Sequence, residues 1–144
     1  DLADMHQRCT QDMTYERGRP FGVGLLVAGY DKTGPHIYET SPTAHYYEHK
    51  AQAIGSRSQS ARTYLEKVFE TFPDLSVDEL VIHALKSLEG AAGDKDLTAE
   101  SVGIAIVGKD QDVKMLSVDE LKNYLNTAFG DATVSTDDVE MKEA

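Results

Sequence analysis

Phe21-Gly22-Val23-Gly24-Leu25-Leu26-Val27-Ala28-Gly29 is a continuous apolar run of strand length. In an extended chain Phe21, Val23, Leu25 and Val27 face one way, and Gly22, Gly24, Leu26 and Ala28 the other. The small second face predicts close packing of another layer. Tyr30-Asp31-Lys32-Thr33-Gly34-Pro35 carries turn chemistry, so His36-Ile37-Tyr38-Glu39-Thr40 reads as the return strand of a hairpin. Ser41-Pro42-Thr43 breaks the pattern again, and residues 45–54 stay open between strand and helix.

Beyond Gly55 the period lengthens. Ala61, Tyr64, Leu65, Val68, Phe69 and Phe72 follow three-and-four spacing, and Pro73 is expected to end that helix. Ser76-Val77-Asp78-Glu79 reads as a capping box, in which hydroxyl and carboxylate each satisfy the other residue's amide. Leu80, Val81, Ala84, Leu85 and Leu88 supply the expected buried face, and Gly90 the stop. Val102–Val107 reads as a second buried strand, and a turn at Gly108-Lys109-Asp110 leads to Val113–Leu116. A last helix repeats the box at Ser117 and Glu120, with Leu121, Tyr124, Leu125 and Phe129 as its apolar face. Upstream, Leu2, Met5, Cys9 and Met13 fall on one helical face. With no initiator Met, the chain is expected to open inside a helix.

The 144 residues are the size of one domain. A formal net charge of -11 argues against nucleic acid or an anionic membrane as the main partner. No apolar run approaches the ~20 residues of a membrane helix. The single Cys9 allows no intramolecular disulfide and fits a reducing compartment. Residues 131–144 carry five carboxylates against Lys142 and few apolar groups, so they read as a disordered acidic tail.

Four constellations bear chemistry. His45-Tyr46-Tyr47-Glu48-His49 matches the inverted zincin pattern, with His45 and His49 as zinc ligands and Glu48 as base if the stretch is helical. On a strand the two histidines lie about 13 Å apart, too far for one ion. Gly22, Gly24 and Gly29 resemble a dinucleotide loop, but they sit inside a strand and a hairpin follows, so packing is the preferred reading. Ser56-Arg57-Ser58-Gln59-Ser60-Ala61-Arg62 offers serines before a helix, as nucleophiles, a phosphate site or, by preference, N-caps. The acidic tail offers charge for a basic partner, though such runs are usually only solvated.

Arg19 to Asp31, followed by Gly34-Pro35-His36-Ile37-Tyr38, resembles the alpha-type subunits of the proteasome core particle, and so does Ala53 to Glu66. Val102 to Asp110 continues the likeness, which covers roughly residues 15–130. The resemblance implies an α+β fold, the four-layer α-β-β-α sandwich of the N-terminal-nucleophile hydrolase type. Residues 1–130 would be its C-terminal part and 131–144 the tail. It also implies a strand from His45 to Ile54, which removes the geometry zinc needs. Catalytic beta-type members use an N-terminal Thr, whereas this chain begins with Asp1. Gly55-Ser56-Arg57-Ser58 resembles the Gly-Ser-Gly-Ser stretch that supports that Thr, with Arg57 departing from it.

The implied role is architectural and non-catalytic, in the cytoplasm and nucleus. The partners would be neighbouring alpha subunits, the beta ring and regulatory caps. No nucleic acid, membrane, cofactor, metal or catalytic residue is expected. The competing readings are a stand-alone acidic α/β interaction domain and a zinc metallopeptidase built on His45 and His49.

Overall fold

The computed structural model describes residues 2–15, 19, 21–93, 96–109 and 111–130, with the side chains of 12–15 and 111 left aside. Asp1, Asp110 and the acidic tail 131–144 lie outside the described residues, and so does the side chain of Met13. The order is α1 (Leu2–Tyr15), β1 (Leu25–Asp31), β2 (Gly34–Thr40), β3 (Tyr46–His49), α2 (Ser58–Val68), a 3-10 turn (Phe69–Asp74), α3 (Val77–Ala92), β4 (Ala105–Gly108), β5 (Gln111–Met115) and α4 (Val118–Phe129). Helices and antiparallel strands together make an α+β chain, with one sheet ordered β1-β2-β3 and a separate β4-β5 pair.

The predicted hairpin is present, shifted along the chain. Its ladder runs from Leu25↔Thr40 to Asp31↔Gly34. Residues 21–24 are therefore not in the strand. β2 ends at Thr40, where Ser41 and Pro42 turn away and Pro42 has no N–H to give, so residues 21–24 have no β2 partner. At the turn, Asp31 Oδ1 accepts from the Thr33 amide at 2.6 Å and from the Thr33 hydroxyl at 2.6 Å. An Asx turn of this kind fixes a tight connection, and Gly34 supplies the positive φ of 126°.

The strand expected over 45–54 is confined to Tyr46–His49. Its ladder closes at Ile37↔His49. Continued in the same register, β2 would set His36 against Lys50 and then the N–H-less Pro35 against Ala51. Gln52 then occupies the local polar groups, donating to Glu39 Oε2 at 2.6 Å and accepting from the Ala53 amide at 2.9 Å.

Helix ends show what local sequence encodes. Ser76 and Ser117 both form complete capping boxes, with Glu79 and Glu120. By contrast, α2 stops at Val68, and a 3-10 turn carries the chain through Pro73. An α-turn at Pro73 would lose its bond to the Phe69 carbonyl and push the ring against that oxygen. Gly90 does not end α3, which continues to Ala92 and is capped by Gly93 at φ 71°. A Cβ at Gly90 would lie 3.0 Å from Ser60 Oγ, so this glycine lets α2 and α3 pack closely. The strand expected from Val102 begins only at Ala105, because Ser101 and Val102 give their amides to the Thr98 carbonyl.

The core lies between α3, α4 and the β4-β5 pair. Val81, Leu85, Ala99, Leu121 and Leu125 are buried there, with Val102, Ile104, Ile106 and Leu116 against them. On α3 the expected buried face is narrower than the sequence suggests: Ala84 is exposed, Leu88 is 42 % exposed and Ser87 is buried. Ser87 satisfies its hydroxyl on the Ala84 carbonyl at 2.7 Å. α1 packs on β2 and β3, and it buries Ala3 and Thr10 while Leu2, Met5 and Cys9 stay exposed. The described members of its apolar stripe are thus left largely uncovered.

Candidate functional site

The inverted zincin residues are split by the pleat. His45 precedes β3, and its Nδ1 lies 3.1 Å from Thr43 Oγ1 while its ring stacks on Tyr47. His49, at the far end of β3, sits 3.4 Å from Glu39 Oε2. Glu48 points to the opposite face, its Oε1 2.5 Å from His36 Nδ1. An extended backbone therefore separates the proposed base from the proposed ligands. Among the described residues no group of three or more His, Cys, Asp and Glu is arranged to hold a metal ion.

The glycine-rich run makes no phosphate cradle, because β1 turns into β2 and not into a helix. The layer contact expected of its glycines is also missing. An added Cβ at Gly24 would lie 3.2 Å from the Thr40 carbonyl, a neighbour within the sheet, and at Gly22 or Gly29 it would meet open space.

The serine segment does not cap α2. Its N-cap is Arg57, in the left-handed region at φ 59° with no side-chain cap. The Ser58 amide reaches the Gly55 carbonyl at 3.3 Å, and Arg62 holds the Ala53 carbonyl at 3.1 Å. A tight Gly55 turn, with φ 108°, thus takes the place of a serine cap.

What the chain does present is uncovered apolar surface. Leu25, Leu26 and Tyr30 on β1 and Phe21 and Val23 ahead of it are exposed, Tyr47 on β3 is 61 % exposed, and Met115 on β5 is 66 % exposed. β1 and β3 are the edges of their sheet, and each of β4 and β5 has one paired side. Between Pro35, Ile37 and His49 on the sheet and Leu65, Phe69, Phe72, Leu80 and Ala84 on the helical side lies a cavity of about 750 Å³. It opens to solvent, so the apolar side chains that line it are only partly covered. Among the described residues no helix is long and apolar enough to cross a membrane.

Comparison with known proteins then decides the family. The protein-family description "Proteasome subunit" matches residues 1–107. The chain belongs to the proteasome subunit family. It is 47 % identical over 127 residues to proteasome subunit alpha type-1 of Dictyostelium discoideum, covering 87 % of this chain and 50 % of that one. Against the protein of the same name in Trypanosoma brucei rhodesiense it is 48 % identical over 130 residues, 87 % of this chain and 48 % of the other. With that of Drosophila melanogaster it shares 49 % over 121 residues, 81 % and 42 % of the two chains. The chain spans about half the length of the curated relatives it matches. Within the family frame, the sequence reading missed one cluster. Asp31, Thr33, His36 and Glu48 converge at the hairpin, and the only sequence sign of it was the Asp-x-Thr turn.

Proposed function

We propose that this chain is part of a non-catalytic, structural subunit of the proteasome core-particle alpha ring. The observation that carries the reading is the alignment, 42–49 % identical over 115–130 residues, with relatives named as alpha subunits. The finer fold is the four-layer sandwich, with α1 on one side of the β1-β2-β3 sheet and α2 to α4 on the far side. The cavity between Ile37 and Phe69 supports this, because further strands would fill it. Uncovered residues such as Leu25, Tyr47 and Met115 supply the apolar contacts that an obligate assembly uses.

On this reading the partners are neighbouring alpha subunits, the beta ring and regulatory caps, in the cytoplasm and nucleus, and the chain needs no cofactor. Its role is assembly, gating and cap docking for protein degradation. Arg57 supports the absence of catalysis, since it puts a bulky cation where the catalytic members' Gly-Ser-Gly-Ser stretch has glycine.

Tagging the chain in its own cells and purifying under native conditions tests the proposal. It should elute in a large particle together with sequence-related subunits. A covalent threonine-directed peptidase probe should label other subunits of that particle and leave this chain unlabelled. Elution as a small species without relatives, or labelling of a Ser or Thr of this chain, would overturn it.

A further inference from the structure

His36 lies between two carboxylates. Its Nδ1 is 2.5 Å from Glu48 Oε1, and its Nε2 is 3.1 Å from Asp31 Oδ1 and 2.7 Å from Thr33 Oγ1. Taken alone, Thr33, His36 and Glu48 have the spacing of a nucleophile, a base and its orienting group. Asp31 rules that out. A base needs a lone pair on Nε2, and here that nitrogen faces an acceptor already holding the Thr33 hydroxyl at 2.6 Å. Neutral imidazole has one N–H, so one carboxylate would always confront a ring lone pair. Only the imidazolium donates to both.

The two carboxylates belong to different places. Asp31 ends β1 and sets the turn, whereas Glu48 lies on β3, an edge strand of four residues. We propose that His36 is a proton-operated clamp: as imidazolium it ties the β1–β2 turn to β3, and loss of the proton frees that edge strand.

The other groups around the ring leave this balance intact. Along β2, Tyr38 stacks on it at 6.1 Å. From α1, the apolar Leu2 and Ala3 line the same recess. Lys32 of the turn, with Lys109 and Asp112, lines a cleft that Asp31 and Thr33 also border but His36 does not, and Lys50 beyond β3 lies over the Phe69 ring. Among the described residues the charges acting on His36 are therefore Asp31 and Glu48. The Glu48 bond, above all, raises the His36 pKa from the ordinary 6.5, against some desolvation, with the Asp31 bond adding to it. A raised pKa means that the clamp contributes fully below 6.5 and is lost as pH rises through the higher folded value.

The clamp is testable on the native chain as isolated from its cells, with whatever co-purifies, so the result does not depend on ring membership. Histidine C2 hydrogen–deuterium exchange, read by mass spectrometry, gives each histidine's titration midpoint. His36 is expected to titrate above 6.5, and Glu48→Gln to bring it down. Amide exchange in the peptide holding Tyr46–His49 should quicken several-fold, beyond the intrinsic pH effect, between pH 6 and 9. In His36→Gln that extra pH dependence should vanish. A wild-type midpoint at or below 6.5 would overturn the clamp even if no variant folds. So would equal pH dependence in wild type and His36→Gln.

Discussion

Arg57 holds a left-handed φ of 59° that a glycine would adopt without cost. Its guanidinium lies against Gly93, where an added Cβ would sit 2.1 Å from Nη1, and Gly93 itself has φ 71°. The pair is thus asymmetric. Arg57→Gly should relieve about 1 kcal/mol of backbone strain, since the bond it gives up, to the Ala92 carbonyl at 3.5 Å, is long. Gly93→Ala should destabilise by about 1–3 kcal/mol through backbone strain, since the flexible end of Arg57 can swing aside. Pulse proteolysis of the chain in its native complex measures both, with opposite signs expected.

Glu120 belongs to the same scale. The Lys114 ammonium at 2.6 Å, followed by the Ser117 bonds, holds its carboxyl down at about 2. A depressed carboxylate contributes above its ordinary value of 4.5, and that contribution is lost as pH falls toward 2. Glu120→Gln should therefore lower resistance to proteolysis at pH 6 and narrow its difference from wild type as pH drops below 4. A difference that stays constant with pH would count against the ion pair.

Among the elements, those whose instructions are local were legible. Both capping boxes need only four residues, and Ser76 and Ser117 form them as read. Ser117→Ala should cost about 1 kcal/mol. Element ends set by a partner were not legible. β1 starts at Leu25 because β2 stops at Thr40, and β3 stops two register steps short of Pro35 on β2. Neither limit is visible within the strand concerned. The α1 face misled for a related reason. An apolar stripe says which side seeks cover, not which neighbour supplies it, and here Ala3 and Thr10 meet the sheet instead.

Alpha 3 gives the sharpest contrast. Its sequence stripe treats Leu85 and Leu88 alike, yet Leu85 is 0 % exposed and Leu88 is 42 % exposed. Leu85→Ala should cost about 2–5 kcal/mol, and Leu88→Ala roughly 0.5 or less, by the same proteolysis measurement. Equal losses would mean that Leu88 is covered in the native complex. At the candidate site, the zincin spacing was legible and the pleat disposed of it. The His36 cluster was not, because its members come from two strands and a turn and meet only once the register is set.

For the whole molecule the issue is cover. Each sizeable apolar side chain left in water forgoes roughly 1.5–3 kcal/mol of burial. Leu26, Tyr47, Val113 and Met115 are all exposed, and four such losses rival the ~5–15 kcal/mol that holds a domain folded. Unpaired strand edges add a route to aggregation. A part of a larger assembly accepts these features because neighbouring strands and subunits cover them, whereas a free-standing interaction domain would have to tolerate them in water. Expressing residues 1–144 alone separates the two, by size-exclusion chromatography with near-ultraviolet circular dichroism. An assembly part is predicted to run as aggregate or as an expanded species, with weak near-ultraviolet signal and no cooperative melt. A monodisperse monomer with a fixed aromatic signal and a sharp thermal transition would contradict it.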